Sequence, residues 1–191
     1  MGDVALFHSV LGLREVEMVA ARRMEAAGHR VVVPDLYAGH VADTLEDGFE
    51  LMNMVGWETI CARARAALDL LPETTVLAGH SMGAGVVAHC WPDRQLCGGV
   101  VLLHGLARIP GKVRSGVPVT VHVADPDRFA MPEEVVEWTA TATRAGLRAE
   151  VFSYPNAGHF FTDQALSDYD AEASGRTWQR VLHFLETVAA A

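Results

Sequence analysis

Short apolar runs rich in β-branched residues alternate along the chain with longer stretches whose apolar positions recur at helical spacing. Six runs read as strands: Val4 to Phe7, Arg30 to Val33, Thr75 to Ala78, Gly99 to Leu103, Pro118 to Val123 and Arg148 to Phe152. Each is followed by glycine, proline, serine or aspartate, the residues that turn a chain. Runs that are apolar throughout suit strands covered on both faces, as in a parallel sheet, because a strand with one wet face would alternate. The intervening helices are expected over Arg14 to Ala27, closed by Gly28, and Thr59 to Leu71. Three more are expected over Met82 to Trp91, Pro132 to Ala145, and from about Gly175 to Val188. Such βαβ alternation with right-handed crossovers predicts an α/β doubly wound, mainly parallel sheet of about six strands with helices on both faces. Ligands of such sheets bind beyond the carboxyl ends of the strands, so the loops there are where function is sought. The segment Tyr37 to Trp57 shows neither pattern cleanly and reads as a looser, pocket-lining excursion.

Composition narrows this picture. A chain of 191 residues, half of them hydrophobic, is expected to form one domain spanning 1–191 with a packed core. The 15 basic against 24 acidic residues give a formal charge of −9, which argues against nucleic acid and an anionic membrane surface as partners. No signal-peptide pattern opens the sequence, and Cys61, Cys90 and Cys97 are odd in number without CxxC spacing. A cytoplasmic protein without disulfides is expected. Nothing in the pattern indicates a homo-oligomer.

The chemistry concentrates after the third strand, where Gly79-His80-Ser81-Met82-Gly83 fits GxSxG between an apolar strand and an Ala- and Val-rich helix. A sharp strand-to-helix turn needs small flanking residues, which Gly79, Gly83, Ala84 and Gly85 supply, and it exposes Ser81 as a nucleophile. In this context the pattern predicts the α/β-hydrolase fold. A serine hydroxyl needs an imidazole base, and the imidazole needs an anion to fix its tautomer. Downstream, His159 stands in the turn Ser153 to Phe160 after the last strand, and Ala124 to Phe129 offers Asp125 and Asp127 after the fifth. Asp127 ranks above Asp125, which precedes a proline and can start the turn with its own side chain; Asp93 and Asp163 stand further back. His80 reads as a packed core histidine. The Met82 N–H at the helix start and the Val10 N–H in the loop His8 to Leu13 are the expected oxyanion donors.

Ser9, Tyr37, Trp57, His104, Phe129 and Phe160 are candidate substrate-binding residues, and Phe49, Met52 and Met54 belong to the same apolar set. Ser9 can equally satisfy local backbone, and the aromatic and methionine side chains can equally be core. His104 can face substrate or form a hydrogen-bonded rim. His8, His104 and His159 as metal ligands are the weaker reading, since no HExxH or carboxylate cluster accompanies them, and no cofactor is expected.

Over nearly its full length the chain resembles the dienelactone hydrolase family. Val32-Val33-Pro34-Asp35-Leu36-Tyr37 is similar to the family's PDLY segment, His8 to Leu13 to its oxyanion loop, and Tyr154 to Phe160 to its histidine turn. Ala124 and Asp127 fall on the glycine and aspartate of its GxxD pattern, which the resemblance reads as the triad acid. The family proper carries cysteine where Ser81 stands and glutamate where Ser9 stands. Its first parallel strand opens this sequence, which implies a compact version of the fold. The resemblance implies hydrolysis of a small carboxylic ester or lactone, here through an acyl-serine. The same site in acyl transfer, cyclisation or lyase chemistry is the alternative, and a non-catalytic small-molecule binder a weaker one.

Overall fold

In the computed structural model, which describes residues 1–190, six parallel strands form one sheet in the order β2-β1-β3-β4-β5-β6. They are β1 (Asp3–Phe7), β2 (Arg30–Val32), β3 (Val76–His80), β4 (Val100–Leu103), β5 (Pro118–Asp125) and β6 (Arg148–Pro155). The helices are α1 (Glu15–Ala26), α2 (Leu45–Val55), α3 (Trp57–Leu68), α4 (Met82–Cys90), α5 (Pro132–Arg144) and α6 (Ala171–Ala189). This is the architecture of an α/β-hydrolase.

Successive strand residues point to opposite faces, and both are covered. Ala5, Phe7, Leu77, Val100, Leu102, Val119 and Val121 pack with Ile60 and Ala64 of α3, Val86 and Val87 of α4 and Trp138 of α5. Val4, Leu6, Val76, Ala78, Val101 and Leu103 pack with Ala20 and Met24 of α1 and with Trp178, Val181 and Leu185 of α6. The expected strands are all present. β3, β5 and β6 run past their expected ends, because ladder pairing continues there: His80 still pairs with Leu103, and Asp125 with Pro155.

Two expectations are corrected. The segment Tyr37 to Trp57 is not an irregular excursion throughout, because it contains α2. The Thr44 hydroxyl caps this helix by accepting the Asp47 N–H at 3.2 Å, and Gly56 at φ 83° separates it from α3. The last helix begins at Ala171 and not near Gly175, since Asp170 accepts the N–H groups of Glu172 and Ala173.

The winding sets the place of the site. β1 lies between β2 and β3, so the connections after β1 and β3 leave to opposite sides and open a crevice at their carboxyl ends. Phe7 and Gly79 are partners across that pair. Among the described residues, no helix is long and apolar enough to cross a membrane.

Candidate active site

Ser81 occupies the turn from β3 into α4 with φ 49° and ψ −107°, a conformation side-chain-bearing residues avoid. The turn survives because the chain around it is nearly bare. A Cβ on Gly79 would lie 2.3 Å from the Gly83 carbonyl, and one on Gly83 would lie 2.2 Å from the Phe7 carbonyl oxygen. The Ser81 N–H is held by the Leu103 carbonyl at 2.7 Å, which ties the turn to β4.

The Ser81 hydroxyl stands 2.9 Å from Nε2 of His159, and His159 Nδ1 donates to Asp127 Oδ2 at 2.7 Å. The three side chains come from the loops beyond β3, β5 and β6, so the order of the sheet brings them together. Asp127 is buried, and its other oxygen accepts the Phe129 N–H at 2.9 Å. Asp125 is exposed at the end of β5, Asp93 faces Arg65 at 3.6 Å, and Asp163 is paired with Arg14 at 2.9 Å. Only Asp127 of the four reaches the histidine. This arrangement can take the proton from a serine hydroxyl while an anion holds the imidazole in the required tautomer.

A cavity of about 260 Å³ opens beside Ser81, lined by Val10, Leu45, Phe49, Met52, Trp57, Met82, His104 and Phe129 among others. Larger hollows, such as one of about 600 Å³ beside β6 and α6, contain none of the three residues above. Val10 and Met82 both line the cavity, and their N–H groups donate to no acceptor among the described residues. Gly85 of α4 makes room for the Trp57 ring, which a Cβ there would meet at 3.3 Å. Phe129 stacks obliquely on His159, with ring centroids 4.6 Å apart.

Of the expected substrate contacts, Trp57, His104 and Phe129 line the cavity; Ser9, Tyr37 and Phe160 do not. Ser9 is buried, with its hydroxyl accepting the Leu11 N–H at 3.2 Å, so it shapes its own loop. Tyr37 is fully buried against the His8 ring and donates its hydroxyl to Met82 Sδ at 3.1 Å; burial pushes its phenol well above the usual range. Phe160 lies in the core and packs edge-on against His159. Met54 is exposed and lines nothing. Leu45 and Leu106, which the pattern did not single out, line the cavity instead.

His104 sits beyond β4 at φ 62°, its Nε2 within 2.7 Å of the Thr162 hydroxyl. Complete burial, reinforced by neighbouring histidines, holds it well below the usual histidine value, so it is a neutral wall of the cavity. The cysteines are all buried and free. Burial pushes Cys90 to about 12 and Cys97 to about 11, which keeps them as thiols away from the nucleophile's role. Both ring nitrogens of His8 are engaged, one with the Ser9 carbonyl and one with the Leu36 N–H. No group of three metal-ligating side chains exists among the described residues.

Comparison with known proteins places this geometry. The model of the dienelactone hydrolase family matches residues 3–189. A candidate carboxymethylenebutenolidase of Aquifex aeolicus is 21% identical over 182 residues, covering 84% of this chain and 75% of that protein. Among solved structures, a dienelactone hydrolase-like promiscuous phosphotriesterase from metagenomic libraries superposes with a TM-score of 0.80 at 22% identity, covering 97% of this chain and 86% of that one. A candidate dienelactone hydrolase of Klebsiella pneumoniae gives 0.75 at 19% identity, covering 95% and 85%.

Proposed function

The chain belongs to the dienelactone hydrolase family, and from that premise we propose that it cleaves a small, uncharged carboxylic ester or lactone through an acyl-enzyme on Ser81. The observation that carries the reading is the unbroken relay of Ser81, His159 and Asp127, at 2.9 and 2.7 Å. His159 Nε2 takes the hydroxyl proton as Ser81 Oγ attacks the carbonyl carbon. The carbonyl electron pair moves to the oxygen, where the Val10 and Met82 N–H groups stabilise it. Asp127 remains ionised and stabilises the imidazolium. His159 then gives its proton to the departing alkoxide, and in the second half it deprotonates a water that releases the acid.

The cavity supports the uncharged class of substrate. Its lining is largely apolar, it contains no Asp, Glu, Lys or Arg, and His104 is held neutral. A carboxylate entering it would lose water without gaining a cation.

The test compares wild type with Ser81→Ala, using a fluorophosphonate probe, p-nitrophenyl butyrate and mono-p-nitrophenyl glutarate. Ser81-dependent labelling and turnover are expected, with butyrate preferred over the anionic ester by roughly 100-fold in kcat/KM. Labelling without turnover of any ester would favour acyl transfer over hydrolysis. Absence of Ser81-dependent labelling would sink the serine mechanism.

A further inference from the structure

Glu17 takes no part in the chemistry above, yet its side chain is fully buried between the two segments that carry the proposed oxyanion donors. Part of its role is ordinary. Standing in the first turn of α1, it accepts the Arg14 N–H through Oε2 at 3.1 Å, as a glutamate at the start of a helix does. One exposed oxygen would suffice for that. The other oxygen, Oε1, lies 3.3 Å from the Ser9 N–H and 3.3 Å from Nδ1 of His80. Ser9 precedes Val10, and His80 precedes Ser81 and Met82. A single oxygen thus joins the loop after β1 to the turn after β3, across the crevice between those strands.

The next peptide is fixed from its far side. The Ser9 carbonyl accepts His8 Nδ1–H at 2.7 Å and the Gly12 N–H at 3.1 Å. His8 Nε2 accepts the Leu36 N–H at 3.1 Å, so the ring is neutral with its proton on Nδ1. In a trans peptide the C=O and N–H point in opposite directions. The Ser9–Val10 bond is trans. Pulling the Ser9 oxygen toward His8 and Gly12 therefore turns the Val10 N–H the other way and fixes its direction, in a residue that lines the cavity.

We propose that Glu17 is a positioning residue that sets the Val10 N–H relative to the Met82 N–H, tying the first oxyanion segment to the nucleophile turn through Ser9 and His80. The inference rests on the acyl-enzyme reading. Burial on its own would push the Glu17 carboxyl up, but the hydrogen bond and charge of His80, with the Arg14 N–H, hold it below its usual value. It accepts hydrogen bonds as a carboxylate. A carboxylate buried at this cost is not needed for the helix cap, whereas the link between the two segments requires it to lie there.

The test uses Glu17→Asp, whose side chain is one methylene too short to reach both partners, beside Glu17→Gln, which keeps the reach. Kinetics with p-nitrophenyl butyrate and affinity for an aryl trifluoromethyl ketone, which forms a tetrahedral oxyanion on serine, are measured on protein shown to be folded by thermal denaturation. Glu17→Asp is expected to lower kcat by about tenfold or more with KM within about twofold, since one misplaced oxyanion donor weakens the transition state alone. Ketone affinity should fall in step with kcat/KM. Glu17→Gln keeps one acceptor oxygen for Ser9 and His80 but sets its NH2 against the Arg14 N–H, so it should lower Tm while losing less kcat than Glu17→Asp. Should Glu17→Asp fail to fold, His80→Phe cuts the same link from the other end and should give the same fall. A folded Glu17→Asp, or failing that a folded His80→Phe, matching wild type in kcat and ketone affinity overturns the proposal. A wild-type protein without Ser81-dependent labelling overturns instead the reading on which it rests.

Discussion

A methyl group on Gly83 would press on the Phe7 carbonyl, and one on Gly79 on the backbone of Gly83, with no flexible side chain to yield in either place. The backbone itself would have to move. Gly83→Ala is expected to cost about 3 kcal/mol or more, read from urea unfolding, and to abolish fluorophosphonate labelling of whatever folds. The choice of Asp127 as the proposed acid belongs to the same scale. Asp127 is buried on His159 while Asp125 is exposed, so Asp127→Asn should lower kcat by about 10³-fold or more through loss of the correct tautomer. Asp125→Asn should leave kcat within about twofold. The reverse order in ester kinetics would move the acid. Glu17 was overlooked in the sequence for a physical reason: a glutamate in the first turn of a helix reads as a solvent-facing cap, and nothing local reports that a second segment closes over it.

Among the elements, the strands were legible because a sheet covered on both faces leaves continuous apolar runs, and the nucleophile turn because its glycines have no substitute. Ser81 and His159 followed from chain order, each in a loop past a strand, whereas chain order left Asp125 beside Asp127, which ranked first by its place in the turn and by the GxxD resemblance. α2 was not legible. Gly48 and Asn53 dilute its helical pattern, yet glycine is what lets it approach: a Cβ on Gly48 would lie 2.9 Å from the Val10 carbonyl oxygen. Nor could spacing tell which way loop side chains turn, so Tyr37 and Phe160, two candidates for the cavity wall, proved to be buried packing. α2 brings Leu45, Phe49 and Met52 to that wall. Phe49→Ala should widen it, lowering kcat/KM for butyrate about fivefold while shifting the optimum toward longer acyl chains. A series of p-nitrophenyl esters from acetate to octanoate checks this; an unchanged profile would remove α2 from substrate selection.

At the scale of the whole molecule, buried histidines make stability depend on pH. Burial holds His122 at about 3 and sets His104 and His8 below the usual 6.5. Below 6.5 the unfolded chain binds protons that the folded one refuses, so the stabilisation is complete above that pH and is lost as the pH falls toward about 3. Glu17, held below its usual 4.5, adds a loss in the same direction at lower pH. Tm is expected to fall by roughly 5 °C or more between pH 7.5 and pH 5, measured by differential scanning fluorimetry at constant ionic strength. A flat profile would contradict the neutral burial of these rings. The order of the strands has a further consequence, for the birth of the protein on the ribosome. The turn bearing Ser81 is synthesised well before the edge strand β6, and His159 lies beyond that strand. A nascent chain therefore carries Ser81 without its proposed base. Chains arrested before β6 has emerged should be inert to fluorophosphonate, and reactivity should switch on only once the sheet's last edge has been laid down.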